Sequence, residues 1–320
     1  MTFAGRPDGI EASLVAEAGF ELDAFRVRGF PRRPGLALAA ALVVAGRAPA
    51  ACARILRRRR PDVVLGAGGF VAGPMVVAAR ALGIPAAVSE ADAHLGLANR
   101  LAAPLAQRVF LAFPIAGRSG RKYRVVGRPI PERARATLAR VDARRRFDVP
   151  TEGALVLVFG GSQGARRLNE AAVEAFAADG PSVLHLCGER DYPELERRVS
   201  RDGYRLVAFT NEIGAALAAA DLVVARAGGS VWEIAAAGKP ALLVPYPHAT
   251  AAHQAKNARY FEERGGAVVV PELRLDLRRQ VGELLRDEGR LRAMGEAMHR
   301  LARPDAADVV AEELIALAAA

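Results

Sequence analysis

Apolar positions along this chain alternate between two patterns. Short, almost wholly apolar runs occupy residues 61–66, 85–89 and 108–112, and again 154–160, 182–187, 222–225 and 240–244. Between them, apolar residues recur at three- and four-residue intervals, the spacing of one face of a helix. A run without polar alternation marks a strand covered on both faces, and strands alternating with helices build parallel sheets from strand-helix-strand units. The alternation happens twice. Between the two series lies VVGRPIPERARATLARVDARRRFDVP, where Pro129 and Pro131 break the pattern ahead of a charged helix. The pattern therefore predicts two α/β domains meeting near Pro131.

Composition agrees with two domains, since 320 residues exceed the usual size of one. Apolar residues make up 52% of the chain but aromatics only 6%, so small aliphatics fill the cores and suit close packing of helix on sheet. Lys and Arg outnumber Asp and Glu by 45 to 35, and the +10 charge favours an anionic partner: a phosphate ester, an acidic lipid or nucleic acid. Cys52 and Cys187, the only cysteines, fit neither a pair nor a metal-ligand spacing, which points to a reducing, cytoplasmic setting. The apolar stretch 36–45 is too short to span a bilayer, and no charged leader with an apolar core opens the chain.

Candidate chemistry sits at glycine turns. In FGGSQGAR, Gly160 and Gly161 allow a tight turn, and Gly164 opens a helix whose first N–H groups have no internal partner. Such amides favour an anion, here a diphosphate, with Ser162 and Gln163 as further ligands. A strand-to-helix turn without a ligand is the alternative from this loop alone. The spacing is neither the dinucleotide fingerprint nor a P-loop with its lysine, which disfavours a nicotinamide dehydrogenase and an ATPase.

ARAGGSVWEIAAAGKP repeats the design, with Gly228, Gly229 and Ser230 leading into a helix that carries Glu233. A carboxylate there can accept two hydrogen bonds from the vicinal hydroxyls of a ribose. An ordinary first-turn helix acid is the other reading of Glu233. Two such turns in one half favour a nucleoside diphosphate. In PYPHATAAHQAKNARYF, Gln254 and Asn257 share a helix face, as sugar-binding amides or as a solvated surface. His248 and His253 stand at no metal-site spacing.

The first half has its own loop, VVLGAGGFVAGPMVVAARALGIP, with Gly66, Gly68 and Gly69 after a strand and Gly73 and Pro74 at a helix start. It offers a second anion cradle. AAVSEADAHLGLANRLAA then sets Glu90, Asp92 and His94 just past the carboxyl end of a strand, the edge where ligands sit in open parallel sheets. One of them can serve as general base on a hydroxyl. A helix cap at Asp92 and an exposed His94 are the alternative.

Together, PDVVLGAGGFVAGP, the Glu90 and Asn99 of SEADAHLGLAN, GGSQGARRLNEA and RAGGSVWEIAAAGKPALLVPYPHATAAHQAKNA resemble the MurG family over essentially the whole chain. The resemblance implies the α/β GT-B architecture, two Rossmann-like domains facing a cleft. It implies an inverting transfer of N-acetylglucosamine from UDP-N-acetylglucosamine to the 4-hydroxyl of the muramoyl sugar of lipid I, making lipid II for peptidoglycan. The donor would lie on the second domain. Ser162, Gln163 and Gly164 would meet the diphosphate, Glu233 the ribose, backbone near Thr210 and Ile213 the uracil, and Gln254 and Asn257 the hexose, with Arg226, Gly229 and Ser230 lining the same site. Gly68, Gly69, Gly73 and Asn99 fall to the acceptor, and Glu90 is the candidate base. No metal and no cofactor is implied, and other cell-wall synthesis proteins are expected partners. The division expected is an acceptor and membrane-binding domain at 1–131, a UDP-sugar domain at 132–304 and a C-terminal helix at 305–320 packing near the first domain.

The chain also departs from the family pattern. Its opening, MTFAGRPDGIEASLVAEAG, reads as the family's second strand onward. A strand-helix unit of about 30 residues, with its glycine loop and histidine, is thus expected to be absent and the first domain incomplete. The family's Glu-Gln-Asn reads Glu90-Ala91-Asp92, and its Gly-Asn-Pro-Val-Arg reads Gly127-Arg128-Pro129-Ile130-Pro131. The alternatives left open are a nucleotide-sugar-binding protein without turnover, one that depends on a partner, and a transferase for another lipid acceptor.

LALAAALVVAGRAPAACARILRRRR fits a helix with an apolar first half, carrying Leu36, Leu38, Leu42 and Val43, and a basic end at residues 57–60. An apolar patch rimmed by arginine can rest on anionic headgroups. A core helix with cations at its C-terminal dipole is the alternative. Since the acceptor in the family is held by a polyprenyl chain, the expectation is peripheral binding at the cytoplasmic face of the bacterial plasma membrane. Aromatic interleaving for base stacking is sparse, so nucleic acid is not the expected partner.

Overall fold

The computed structural model describes residues 1–27, 35–161 and 165–319, and for Ile10 and residues 36–45 the backbone alone. It divides into two compact units, Met1–Val126 with Asp308–Ala320, and Gly127–Ala307. The boundary falls slightly ahead of Pro131. Gly127 already packs within the second unit: with φ at +84°, it lies so close to Arg303 that an added Cβ would stand 2.4 Å from the arginine's own.

The first unit runs β1 (Phe3–Gly5), α1 (Ile10–Glu17), β2 (Leu22–Ala24), α2 (Leu36–Arg59), β3 (Val64–Gly66), α3 (Gly69–Ala81), β4 (Ala86–Glu90), α4 (Leu97–Ala102), β5 (Arg108–Leu111) and β6 (Tyr123–Val125). Its strands are all parallel, in a pair β1-β2 and a four-stranded sheet β3-β4-β5-β6. Among the described residues no ladder joins the two sheets. Val64, Val88 and Val109 pack against Cys52 and Leu56 of α2 and against Met75, Val76 and Ala79 of α3. Leu36, Leu38, Leu42 and Val43 fall in the first half of α2, whose side chains lie outside the described residues. At the other end of α2, Arg58 and Arg59 pair with Asp23, and Arg59 also with Glu21, so half of the basic tip braces β2.

The second unit runs α5 (Arg140–Arg146), β7 (Leu155–Phe159), α6 (Arg166–Phe176), β8 (Ser182–Leu186), α7 (Tyr192–Leu195), β9 (Tyr204–Val207), α8 (Ile213–Ala219), β10 (Leu222–Ala225), α9 (Val231–Ala236), β11 (Ala241–Leu243), α10 (His253–Glu262), β12 (Ala267–Val269), α11 (Leu277–Leu285) and α12 (Glu288–Leu301). All neighbours in its sheet, ordered β12-β11-β10-β7-β8-β9, are parallel. Every residue of β7 and β10 is buried, as the apolar runs predict for strands with helices on both faces. In α6, Leu168, Ala172, Val173 and Phe176 face the core while Arg166, Arg167 and Glu174 face water, the one-sided stripe of an amphipathic helix.

The chain ends in α13 (Ala306–Ala318), which covers the first unit. Val310 and Leu317 bury against Ala87, Phe110 and Val126, and Glu313 pairs with Arg108 at 3.0 Å and Arg124 at 3.1 Å.

Candidate functional site

The chain leaves β7 and builds β8 and β9 on one side, then returns to lay β10, β11 and β12 on the other. The order reverses between β7 and β10, and in open parallel sheets the crevice at the carboxyl ends of such strands takes the ligand. The segments leaving those two strands are the glycine turns FGG and ARAGGS. Gly160 is held tightly, since an added Cβ would come within 2.3 Å of Ala165 Cβ, and Gly161 takes a φ of +101° that favours glycine. Between the turns lies a cavity of about 440 Å³, lined by Gly160, Gly161, Gly228, Gly229, Ser230 and Glu233 together with Arg128, Thr210, Ile213, Arg226 and Gln254. That volume suits a small-molecule ligand. A larger cavity of about 910 Å³ sits at the amino ends of the same strands, beside Asp221 and Lys239. It lacks the switch-point position.

Glu233 is half-buried on the first turn of α9. Burial pushes its carboxyl above the ordinary range, while Arg128 and Arg133 pull it back down. Thr210 Oγ1 accepts from Glu212 N at 3.0 Å just ahead of α8, which fixes the turn carrying Thr210 and Ile213 along the cavity wall. Ser230 lines the same wall. Ser162, Gln163 and Gly164 lie outside the described residues.

Arg226, which lines the cavity as expected, and Asn257 also brace its walls. Arg226, nearly buried, pairs with Glu272, donates to the carbonyls of Val244 at 3.1 Å and Pro245 at 3.4 Å, and lies over the Tyr246 ring. It ties the end of β10 to the loop after β11 through those carbonyls and to the segment after β12 through Glu272. Asn257 does not reach the cavity as a hexose ligand should. It is fully buried, with Nδ2 donating to Ala227 O at 3.1 Å, because its face of α10 turns toward the glycine turn it supports. Gln254 does line the cavity; its Oε1 accepts from Tyr246 N at 2.9 Å and its Nε2 lies toward Gly228. An adjoining space of about 450 Å³ shares Gly160, Arg226 and Gln254 and adds Arg166, Arg167 and Arg190.

A buried network stiffens the walls. Asn169 Nδ2 donates to Cys187 O at 2.8 Å and Asp191 Oδ2 at 2.9 Å, which leaves Asn169 Oδ1 to accept from His185 Nε2 at 3.1 Å. The other ring nitrogen, Nδ1, then accepts from the Tyr204 hydroxyl at 2.9 Å. Burial drives the His185 imidazole down to about 3, so it stays neutral and locks α6, β8 and β9 together.

In the first unit, Gly68 and Gly69 open α3 with φ of +97° and +67°. The helix thus begins a turn earlier than Gly73 and Pro74, which lie in its second turn. Asn99 and the Ser89 carbonyl meet Gly68 at the carboxyl ends of β3 and β4, with Asn99 donating to Ser89 O at 2.9 Å and to Glu90 Oε2 at 3.0 Å. Glu90 also accepts from Asp92 N at 3.2 Å and Gly96 N at 2.8 Å. With both oxygens accepting hydrogen bonds and the residue 8% exposed, this carboxylate braces its loop. Asn99 Oδ1 is buried with no hydrogen-bond partner among the described residues.

Sequence reading missed Arg128 and Phe209, the latter a ring 50% exposed on the cavity wall. Both come from irregular segments, so no periodicity singles them out.

Two α/β units with parallel sheets, the second with glycine turns and a carboxylate at its switch point, fit the class of nucleotide-sugar enzymes. Accordingly, the Glycosyltransferase family 28 N-terminal domain matches residues 2–111, and the Glycosyltransferase family 28 C-terminal domain matches residues 155–310. A relative from Rubrobacter xylanophilus, a "UDP-N-acetylglucosamine--N-acetylmuramyl-(pentapeptide) pyrophosphoryl-undecaprenol N-acetylglucosamine transferase", is 42% identical over 323 residues, covering 99% of this chain and 95% of the relative. One of the same description from Halorhodospira halophila is 43% identical over 323 residues, covering 97% and 88%. The crystal structure of Acinetobacter baumannii MurG superposes with a TM-score of 0.79 at 26% identity, covering 98% of this chain and 90% of that one. The chain belongs to the MurG family.

Proposed function

We propose that this chain transfers N-acetylglucosamine from UDP-N-acetylglucosamine to the muramoyl 4-hydroxyl of lipid I, with inversion. The observation that carries the reading is the cavity at the β7/β10 switch point, where two glycine turns face Glu233. The nucleotide occupies it, with Glu233 accepting from the ribose hydroxyls, the 208–213 wall beside the uracil and the glycine turns at the diphosphate. Gln254 is within reach of the hexose. In the transfer, the acceptor oxygen bonds to the anomeric carbon as that carbon's bond to the β-phosphate oxygen breaks. The electron pair leaves on UDP and the hydroxyl proton passes to a general base. Backbone amides fixed in advance at the diphosphate stabilise the charge that develops there.

Gly68, Gly69 and Asn99 are assigned to the acceptor, the orphan Asn99 Oδ1 being an acceptor suited to a sugar or water hydroxyl. Peripheral attachment to an anionic membrane through the first half of α2 completes the reading. No helix among the described residues is long and apolar enough to cross a membrane. The test is transfer of labelled N-acetylglucosamine to a lipid I analogue by the 320-residue chain. Lipid II product is expected; UDP-sugar binding without product under saturating acceptor would leave the non-catalytic reading standing in its place.

A further inference from the structure

We infer that Arg128, a residue outside both glycine turns, is the cation that binds the diphosphate of the nucleotide and carries the charge of departing UDP. The inference rests on the donor cavity proposed above. Arg128 belongs to the irregular segment that opens the second unit, yet its guanidinium lies flat against Gly229: an added Cβ there would stand 1.6 Å from Nη1, 2.2 Å from Cζ and 2.8 Å from Nη2. A side chain at 229 would therefore displace the Arg128 guanidinium. Among the described residues Arg128 makes no ion pair and donates no hydrogen bond, although this chain pairs most of its inward arginines, Arg144 with Asp221 and Arg226 with Glu272 among them.

A guanidinium set against backbone, half-buried, and lining a cavity with Gly160, Gly161 and Glu233 presents its N–H fork to whatever fills that space. Its planar donors match two phosphate oxygens at once. Glu233 on the same wall does not capture it, since no oxygen of that carboxylate comes within 4.0 Å of a guanidinium nitrogen among the described residues. The positive charge therefore meets the diphosphate while the carboxylate remains free for hydroxyls.

The experiment is calorimetric titration of the full chain with UDP and with uridine, for the wild type, Arg128→Gln, Arg128→Lys, Gly229→Ala and the double variant Arg128→Gln/Gly229→Ala. Expected is at least a tenfold loss of UDP affinity in Arg128→Gln against less than a threefold loss for uridine, with partial recovery in Arg128→Lys. Gly229→Ala should cost a similar factor by displacing the guanidinium, and less than twofold more when Arg128 is already Gln, the non-additivity of residues that share one contact. Should Gly229→Ala fail to fold, the UDP-to-uridine comparison in the Arg128 variants decides alone. Wild-type binding of UDP with Arg128→Gln within twofold of it overturns the inference and leaves the nucleotide site intact. A wild type that binds neither UDP nor uridine overturns the site and the inference together.

Discussion

Glu233 is placed under two opposing demands. A ribose needs it ionised, because only a carboxylate accepts from both hydroxyls, whereas burial favours its neutral form and lifts its pKa. A group whose folded pKa is raised stabilises the fold below its unfolded pKa, and that contribution is lost as pH rises through the folded value. At neutral pH the ionised side chain therefore costs the fold something. Glu233→Gln is expected to raise the thermal midpoint while weakening UDP binding about 10- to 100-fold, the range for a lost charged hydrogen bond of about 1.5–3 kcal/mol. Nucleotide affinity of the wild type should fall on acidification from pH 7, with a midpoint above the ordinary glutamate value of 4.5, and the dependence should flatten in the glutamine variant. Glu90 gives the opposite forecast. As a brace accepting from Asp92 N, Gly96 N and Asn99, it should on replacement by glutamine set an N–H group against an N–H donor and lower stability. The acid limb of the pH–rate profile should be unchanged; a lost limb would identify Glu90 as the base.

At the scale of elements, the buried run from Tyr204 through His185 and Asn169 to Asp191 fastens two strands to the helix that leaves the first glycine turn. His185 is held neutral down to about 3 against an ordinary 6.5, so its folded pKa is depressed. Its contribution is present above the unfolded pKa and is lost as pH falls, at about 1.4 kcal/mol per pH unit. Urea unfolding followed by Trp232, the only tryptophan, should show about 2 kcal/mol less stability at pH 5 than at 6.5. His185→Gln should lose that slope, and an unchanged slope would place the proton elsewhere. How legible such elements were depended on where they sit. β7, β10 and β11 were plain in the sequence because central parallel strands are apolar throughout, and β8 because only Ser182 and His185 interrupt its apolar run. β2, β6 and β9 were not, because each is a sheet edge and mixes exposed residues into a short strand, as in β6 with Arg124 and Val125 exposed. The site shows the same limit. Glycine turns and Glu233 declare themselves by residue type, but nothing in helical spacing reveals that the Asn257 face of α10 turns inward, or that a loop arginine lands on Gly229.

For the whole molecule, the decisive feature is that the ends of the chain share a unit while the middle forms the other. The first unit's core is completed by α13, where Val310 and Leu317 cover Ala87, Phe110 and Val126 and Glu313 holds Arg108 and Arg124. Burying two such aliphatic side chains is worth about 3–6 kcal/mol, a large share of the roughly 5–15 kcal/mol that keeps a domain folded. The second unit has a separate core and contains every residue lining the donor cavity. Heating should therefore give two transitions. UDP at one hundred times its dissociation constant adds about 2.7 kcal/mol to whichever unit binds it, and it should raise the transition seen by Trp232 while leaving the other in place. Truncation after Ala307 should abolish the transition of the first unit, eliminate transfer to the lipid acceptor, and leave UDP affinity within threefold of the full chain. If both transitions instead fell together on truncation, the two units would be unfolding as one, and the donor site would depend on the helix that closes the acceptor unit.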